Sequence, residues 1–157
     1  MSINSQKITV ADSFVCRERI QQHLLASDHM TASGPGISII PLSYKNGDEV
    51  IHEHDFYELV LVRSGTGFHI TEEGKYPLRP CDIFLVKPGF GHGYIELKQL
   101  EIVNIIYLPE RFDFNIFDLA ENPGFNALFD IPDDIPDDYR FSNNLALSRV
   151  QMEMAEE

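Results

Sequence analysis

The amino-acid sequence predicts a mainly β fold, an antiparallel sandwich or small barrel, between residues 37 and 108. Short runs rich in Ile, Val, Phe and Tyr, which favour strands, recur throughout this part of the chain. Turn-forming Gly, Pro, Asn and Asp separate these runs at intervals of about 8–12 residues, and no helical pattern lies between them.

The composition limits the size and class of the protein. A chain of 157 residues, 43% of them hydrophobic, is long enough for one domain with a packed core. Its 12 basic and 25 acidic residues give a net charge of −13, which would repel DNA phosphates, so we expect no DNA contact from these residues. Cys16 and Cys81 form no Cys-x-x-Cys pair, which suits reduced thiols in the cytoplasm. The chain has neither an apolar run of about 20 residues nor a signal-peptide pattern, so no membrane partner is expected.

We divide the chain into four segments, of which the first two cover residues 1–108. Residues 1–36 are predicted to form an N-terminal arm with a helix, because Thr9 and Asp12 resemble a capping box and helix-tolerant sequence continues to about Leu25. The β domain follows at residues 37–108. Its turns are predicted at 65–67 and 72–75, and its strands at 37–42, 58–63, 68–71, 76–78, 83–86 and 100–107.

Two further segments are predicted after the β domain. Residues 109–141 are expected to form an acidic loop or cover, because Pro, Gly and Asp are frequent there. In residues 142–157, Asn144 is a candidate N-cap for a helix. The apolar face of this helix, which could support a homodimer, carries Leu147, Val150 and Met154. Two acids at its end, Glu156 and Glu157, oppose the helix dipole, so we expect the native protein to continue beyond a truncated helix.

Polar side chains of the metal-ligand type are predicted to converge in the β domain. His52, His54 and Glu58 have the same parity, so in a strand all three would point to one face. His92, at the end of a second turn-rich segment, offers a fourth group of this kind. Two interpretations remain open. One is a divalent metal site for Zn, Ni, Cu, Fe or Mn, and the other is a metal-free polar pocket for a small molecule, in which His54 and Glu58 could pair.

The other aromatic residues and histidines are assigned around this cluster. Phe56 shares the parity of the polar trio, and we expect Phe56 or Phe68 to cover an apolar face of a ligand. His69 is expected at the surface or rim, on the strand after the 65–67 turn. His23 and His29 lie in the arm and form no constellation. The sequence shows neither a Ser-His-Asp arrangement nor a Gly-rich phosphate loop before a helix.

The polar residues and glycines of the β domain resemble the two motifs of the cupin fold. The first motif corresponds to His52, His54, Glu58 and Gly65, and the second to Lys87, Gly89 and His92. This chain departs from the pattern at Cys81, where the second motif normally opens with Gly. Because a non-Gly residue disfavours the positive φ of that turn, we expect a different turn at Pro80–Asp82.

The resemblance extends to a family of regulators over roughly residues 48–130. The segment His54–Val60 is similar to the sensor-domain motif of AraC-family transcription regulators. Asn104–Arg111 and Pro123–Asn126 are similar to segments of the L-rhamnose-responsive activators of that family. This resemblance implies a cupin jelly-roll barrel that binds an effector, followed by a linker, dimerisation helices and two helix-turn-helix units. Residues 142–157 would then be the start of a truncated linker helix, and the DNA-binding half is absent from this chain.

Three functions follow as hypotheses. The first is a non-enzymatic sensor that binds a small sugar, such as L-rhamnose, with DNA contacted only by the missing C-terminal domain. Its ligand-binding residues would be His52, His54, Phe56, Glu58, Phe68 and His92. The second is a small metal-dependent cupin enzyme acting on a sugar or another small molecule, with a metal held by His52, His54, Glu58 and His92. The third is a standalone binding or storage cupin.

Overall fold

The computed structural model describes residues 20–72, 74–111 and 144–156, and eight strands and three helical segments are assigned in these ranges. The strands are β1 (Gln22–Leu24), β2 (Ile37–Gly47), β3 (His52–His54), β4 (Tyr57–Thr71), β5 (Gly74–Leu78), β6 (Asp82–Val86), β7 (His92–Tyr107) and β8 (Asn144–Ala146). The helical segments are α1 (Ala26–His29), a 3₁₀ helix (Pro109–Arg111) and α2 (Arg149–Glu156). Within these ranges, none of the helices is long and apolar enough to cross a membrane. The predicted Thr9–Asp12 capping box and nearly all of the predicted acidic loop lie outside the described residues.

The sheet is organised around β7. This strand pairs antiparallel with β2 on one side and β4 on the other, and it meets β3 where His52 lies opposite His92. β4 also pairs antiparallel with β5 and β6, β8 pairs with β6, and β1 runs parallel to β3. The described strands therefore form one eight-stranded sheet. This arrangement confirms the predicted mainly β class and fits a cupin jelly roll.

Two apolar clusters fill the inner face of the sheet, and polar residues lie between them. Along β7, Ile106 belongs to one cluster and Ile102 to the other, and the buried Asn104 separates them. On β4 and the residue before it, Phe56 and Val60 belong to the two clusters and the buried Glu58 lies between them. Because the same order recurs on paired strands, the polar side chains form a layer across the interior.

The opposite face of β4 carries a third apolar cluster. Leu61 follows Val60 in the chain and therefore points to the other face. There it packs with Ile83 and with Met152 of α2. The C-terminal helix thus docks on the reverse face of the strand that carries Glu58.

A β-bulge in β4 changes which side chains face inward. From Val62 to Ser64, β4 advances two residues, whereas the partner positions on β7 advance by only one, from Ile102 to Glu101. Such a bulge exchanges the two faces of the strand beyond it. The bulge lies next to Gly65, whose φ is +80°. The prediction of a chain reversal at 65–67 is therefore wrong, because β4 continues without interruption to Thr71.

β7 has two irregularities of its own opposite this part of β4. Over two steps of β4, from Ser64 to Phe68, the partner positions on β7 advance three residues each time, from Glu101 to Ile95. Gln99 and Glu96 have positive φ at these places, 47° and 53°. Two exchanges of face cancel each other, so even-numbered residues face inward at both ends of β7. In β4, even-numbered residues face inward before the bulge and odd-numbered residues after it.

Two predictions for the ends of the chain differ from the structure. The prediction that helical sequence continues to about Leu25 is wrong, because Gln22–Leu24 is a strand paired with His52–His54, and this tertiary pairing overrides the helical tendency. Asn144 begins β8 rather than α2. The N-terminus of α2 is capped by Ser148, whose hydroxyl accepts a hydrogen bond from the Gln151 N–H (3.3 Å) while the Gln151 side chain accepts one from the Ser148 N–H (2.9 Å).

The expected alternative turn at Cys81 is also wrong. Cys81 itself adopts a φ of +74°, the conformation that Gly supplies in the usual motif. Its N–H donates to the Val62 carbonyl at 2.8 Å, and its carbonyl accepts from the Leu147 N–H at 2.8 Å. These two hydrogen bonds, to β4 and to the C-terminal segment, hold the residue in a backbone conformation that is otherwise unfavourable.

Because Gly65 lies at the bulge, we expect that adding a side chain there destabilises the fold. A Cβ at this position would lie 2.2 Å from the Gln99 carbonyl oxygen, in addition to the strain of a positive φ. We expect Gly65→Ala to lower the free energy of unfolding in urea by about 3–4 kcal/mol. Gly89→Ala is the matched control, because Gly89 has a similar φ of +76° but no atom within 4 Å of the added carbon. It should lose only about 1–2 kcal/mol, and equal losses in the two variants would contradict the proposed close approach.

Candidate functional site

The structure brings the four sequence-predicted polar residues together. The Nε2 atoms of His54 and His92 each lie 3.3 Å from Oε2 of Glu58. One ligand atom from each of His52, Glu58 and His92 falls within 4.8 Å of the others. The four residues come from β3, β4 and β7, and the pairing of β3 with β7 places His52 directly opposite His92. Residues 52, 54 and 58 thus come together as predicted, but they lie on two strands, β3 and β4, and not on one.

The cluster is deeply buried except at His52. His54, Glu58 and His92 are at most 4% exposed, whereas His52 is only partly buried. A buried carboxylate is rare unless a charge or hydrogen bonds compensate it. Glu58 accepts one hydrogen bond at Oε1 from the Asn104 side-chain amide. Its other oxygen, Oε2, faces the two histidines.

Backbone carbonyls fix the orientation of two of the imidazole rings. His54 Nδ1 lies 2.7 Å from the Phe56 carbonyl oxygen, and His52 Nδ1 lies 3.1 Å from the Val50 carbonyl oxygen. Because a carbonyl can only accept, Nδ1 is the donor in both rings. A neutral imidazole carries a single N–H, so in that form the Nε2 atoms present lone pairs. The lone pair of His54 then faces the oxygen of Glu58.

The donor atoms of this cluster fit a divalent cation. His54 Nε2, His92 Nε2 and Glu58 Oε2 are buried, and their 3.3 Å contacts are not hydrogen bonds. Atoms that would otherwise repel one another are stabilised when a cation lies among them. Ligands about 2.0–2.2 Å from a tetrahedral metal are separated by about 3.3–3.6 Å, and the two contacts of Glu58 Oε2 with the His54 and His92 nitrogens have this length. Imidazole and carboxylate are suitable ligands for Zn, Ni, Mn or Fe.

His69 is a member of the cluster that the sequence prediction missed. It was expected at the surface or rim, and this was wrong: the residue is 1% exposed, and its Nε2 lies 3.2 Å from Nδ1 of His92. Burial, followed by the effect of His52, lowers the pKa of His69 to about 3. The physical reason for the error is the bulge beside Gly65, because strict alternation from Glu58 would place His69 on the outer face.

The same bulge separates the two aromatic residues that were expected to cover a ligand. Phe56 is 2% exposed and stacks on the His54 ring, with the centroids 4.4 Å apart. Phe68 is adjacent to the inward His69 and therefore points to the other face, where the Lys75 Nζ lies 3.9 Å from the centre of its ring. The structure brings Phe56 into the site and does not bring Phe68 there.

Two more polar groups extend the site inward. Asn104 Oδ1 and the Tyr94 hydroxyl are buried and have no hydrogen-bond partner among the described residues. Burial, and next the negative charge of Glu58, raises the pKa of Tyr94 well above its usual value, so this residue remains a hydroxyl. A signal for Asn104 was present in the sequence, since it is the only polar residue in the run from Ile102 to Ile106 and has the parity of the inner face.

Comparison with known proteins assigns the family. Residues 45–144 match the model of the AraC-like ligand binding domain. The chain belongs to this family. The HTH-type transcriptional activator RhaR of Escherichia coli (strain K12) is 40% identical over 76 residues, which are 48% of this chain and 27% of that protein. RhaR of Salmonella agona (strain SL483) has the same identity and coverage. The matched part of this chain thus spans about a quarter of the length of these relatives.

Two solved structures are similar to part of this chain. KdgF from Halomonas sp. gives a TM-score of 0.44 at 20% identity, covering 48% of this chain and 73% of that one. An RmlC-like cupin protein from Desulfovibrio desulfuricans gives 0.43 at 14% identity, covering 50% and 78%.

Because His69 is buried, we expect the protein to lose stability in acid. The pKa of His69 is about 3 in the folded protein and near its usual value of 6.5 in the unfolded chain. Between these values only the unfolded chain takes up the proton, so stability falls as the pH decreases from about 6 to 4. For one such group the expected slope is about 1.4 kcal/mol per pH unit. In urea unfolding over this range, the free energy of unfolding of His69→Phe should therefore fall by about 1.4 kcal/mol less per pH unit than that of the wild type.

A control separates this slope from a general loss of stability. Gly89→Ala removes no titrating group, so it should lower the free energy of unfolding by the same amount at each pH. A slope in His69→Phe that equals the wild-type slope would contradict a buried, neutral His69.

Proposed function

We propose that this chain is the effector-sensing domain of an AraC-type transcription regulator and that its effector is a small sugar, with L-rhamnose the first candidate. The match to the AraC-like ligand binding domain supports the sensing role, and the similarity to activators named RhaR supports the choice of sugar. The single observation that carries the proposal is the polar layer between two apolar clusters. Binding sites for small molecules combine an apolar lining with a few convergent polar groups in this manner.

The spacing of the polar atoms decides how an effector can enter. The 3.3 Å contacts of Glu58 with His54 and with His92 leave room for one ion and not for a sugar ring. The effector would therefore approach from the side of the partly exposed His52, with its hydroxyls toward the cluster and an apolar face toward the Phe56 side. A divalent cation held by His52, His54, Glu58 and His92 would supply positive charge and coordination positions for those hydroxyls.

The N-terminal arm is well placed to respond to such a ligand. β1 pairs with β3, the strand that carries His52 and His54. The Ala26 N–H donates to the Asp55 carboxylate at 2.6 Å. The rings of His29 and Phe56 are nearly perpendicular, with their centroids 5.7 Å apart. A ligand shifts an equilibrium only if it binds one arrangement better than another. Through these contacts, a ligand bound at His52 and His54 would favour one arrangement of the arm over another.

The C-terminal segment offers a second route. Met152 packs against Leu61 on the reverse face of the strand that carries Glu58. A displacement of β4 on binding would therefore alter the support for α2. We expect DNA contacts to come from a part of the regulator outside this chain, since a net charge of −13 opposes them here. Pairing of two copies through the exposed Val150 and Met154 would fit this scheme.

Calorimetric titration with sugars tests the proposal. We expect L-rhamnose to bind with measurable heat and more tightly than L-fucose or L-arabinose. Glu58→Gln should weaken binding at least tenfold, because it removes the charge at the centre of the polar layer. Glu101→Gln is the matched control, since Glu101 is an exposed partner of Ser64 and should bind sugar as the wild type does. No heat with any deoxyhexose or pentose would contradict a sugar effector.

A metal-dependent enzyme is the second candidate function, and the converging donor atoms favour it. The two candidates differ in what happens to the bound molecule. A sensor releases the sugar unchanged, whereas an enzyme loaded with Zn, Ni, Mn or Fe would convert it. Mass spectrometry of sugars incubated with metal-loaded protein distinguishes them, and turnover that Glu58→Gln abolishes would replace the sensor proposal with the enzyme.

A further inference from the structure

His69 and His92 form a hydrogen-bonded pair of histidines behind the candidate site. The two rings are at most 1% exposed, and Nε2 of His69 lies 3.2 Å from Nδ1 of His92. The His69 ring is held by stacking on Phe84, with the centroids 4.6 Å apart. The other ring nitrogen of His92, Nε2, is the one that faces Glu58. His92 therefore connects His69 to the site.

Counting protons shows that this pair has two arrangements. Burial keeps the rings neutral, and a neutral imidazole has one N–H and one lone pair. In the first arrangement His92 Nδ1 donates to His69, and His92 Nε2 presents a lone pair to the site. In the second, His69 Nε2 donates to His92, and His92 Nε2 carries the N–H toward Glu58. The two differ by a shift of protons within the rings and have the same net charge.

The geometry favours the first arrangement. The contact between the two histidines is a hydrogen bond in both arrangements, so it does not choose between them. The choice comes from the site. The Nε2 atoms of His52 and His54 present lone pairs there, because their Nδ1 atoms donate to backbone carbonyls, and a cation bound among these residues needs a lone pair at His92 Nε2 as well. An N–H on His92 Nδ1 is therefore bonded to His69, and the Nε2 lone pair is directed into the cluster, as the carbonyl partners of His52 and His54 also direct theirs.

We propose that His69 is a positioning residue that fixes the tautomer of His92, so that His92 Nε2 presents a lone pair to the candidate site. Three histidines are then preset in the same sense: backbone carbonyls accept from His52 and His54, and a buried imidazole accepts from His92. The proposal deepens the proposed function, since it concerns the same site, and it identifies the group bound there as electron-poor, such as a divalent cation or the hydrogen of a sugar hydroxyl. A partner that orients a ligating histidine typically changes metal affinity by about 10–100-fold.

Nitrogen-15 NMR of the histidine rings tests this directly, because protonated and unprotonated ring nitrogens differ in chemical shift and in coupling to ring protons. In the wild-type protein without added ligand, we expect His92 to be protonated on Nδ1 and unprotonated on Nε2. His69→Phe keeps a ring on Phe84 but removes the acceptor, and we expect His92 to lose this preference. His69→Gln, whose side-chain oxygen can accept the same hydrogen bond, should restore it.

Zinc affinity provides a second measurement on the same variants. By competition with a chelator, His69→Phe should bind Zn²⁺ about 10–100-fold more weakly than the wild type, and His69→Gln less than tenfold more weakly. A wild-type His92 protonated on Nε2 would overturn the proposal, even if neither variant folds. An unchanged tautomer and zinc affinity in a folded His69→Phe would overturn it as well. A failed sugar titration with the expected tautomer would reject the sugar effector and leave this role of His69 in place.

Discussion

The interior is organised by one contact, the approach of the buried Glu58 carboxylate to the Nε2 atoms of His54 and His92. A charge at this depth is unfavourable unless nearby groups compensate it. Asn104 compensates one oxygen through its amide, and the other is directed at the histidines. The apolar clusters on either side exclude water from this contact, which strengthens its electrostatics. The low-dielectric surroundings that make this charge unfavourable to bury would also strengthen its attraction to a cation or a polar ligand.

The bulges in β4 and β7 determine which side chains take part in this contact. A single exchange of faces in β4 moves His69 inward and Phe68 outward, whereas two in β7 cancel and keep His92 and Tyr94 on the side of Asn104. The backbone irregularity at Gly65 thus adds an imidazole to the polar layer and removes an aromatic ring from it.

Much of the fold and part of the site could be predicted from the sequence. The strands were found because Ile, Val and aromatic runs are strong local signals, and the cluster of His52, His54, Glu58 and His92 was found because parity and the two motifs agreed. His69 was misplaced because parity fails across a bulge, which a sequence of Gly and Thr does not distinguish from a turn. β1 was missed because Gln22–Leu24 forms a strand only through its partner β3, which is distant in the chain.

The site lies between the arm and the C-terminal helix, and each of them contacts a strand that carries a site residue. A crystal structure of the wild-type protein grown with Zn²⁺ and L-rhamnose, with anomalous data at the zinc edge, tests the central claim most directly. The account predicts one peak at about 2.0–2.2 Å from a Glu58 oxygen and from ring nitrogens of His52, His54 and His92, with His69 behind His92. A Glu58 side chain turned to bulk solvent, or a His69 ring on the outer face of β4, would contradict it.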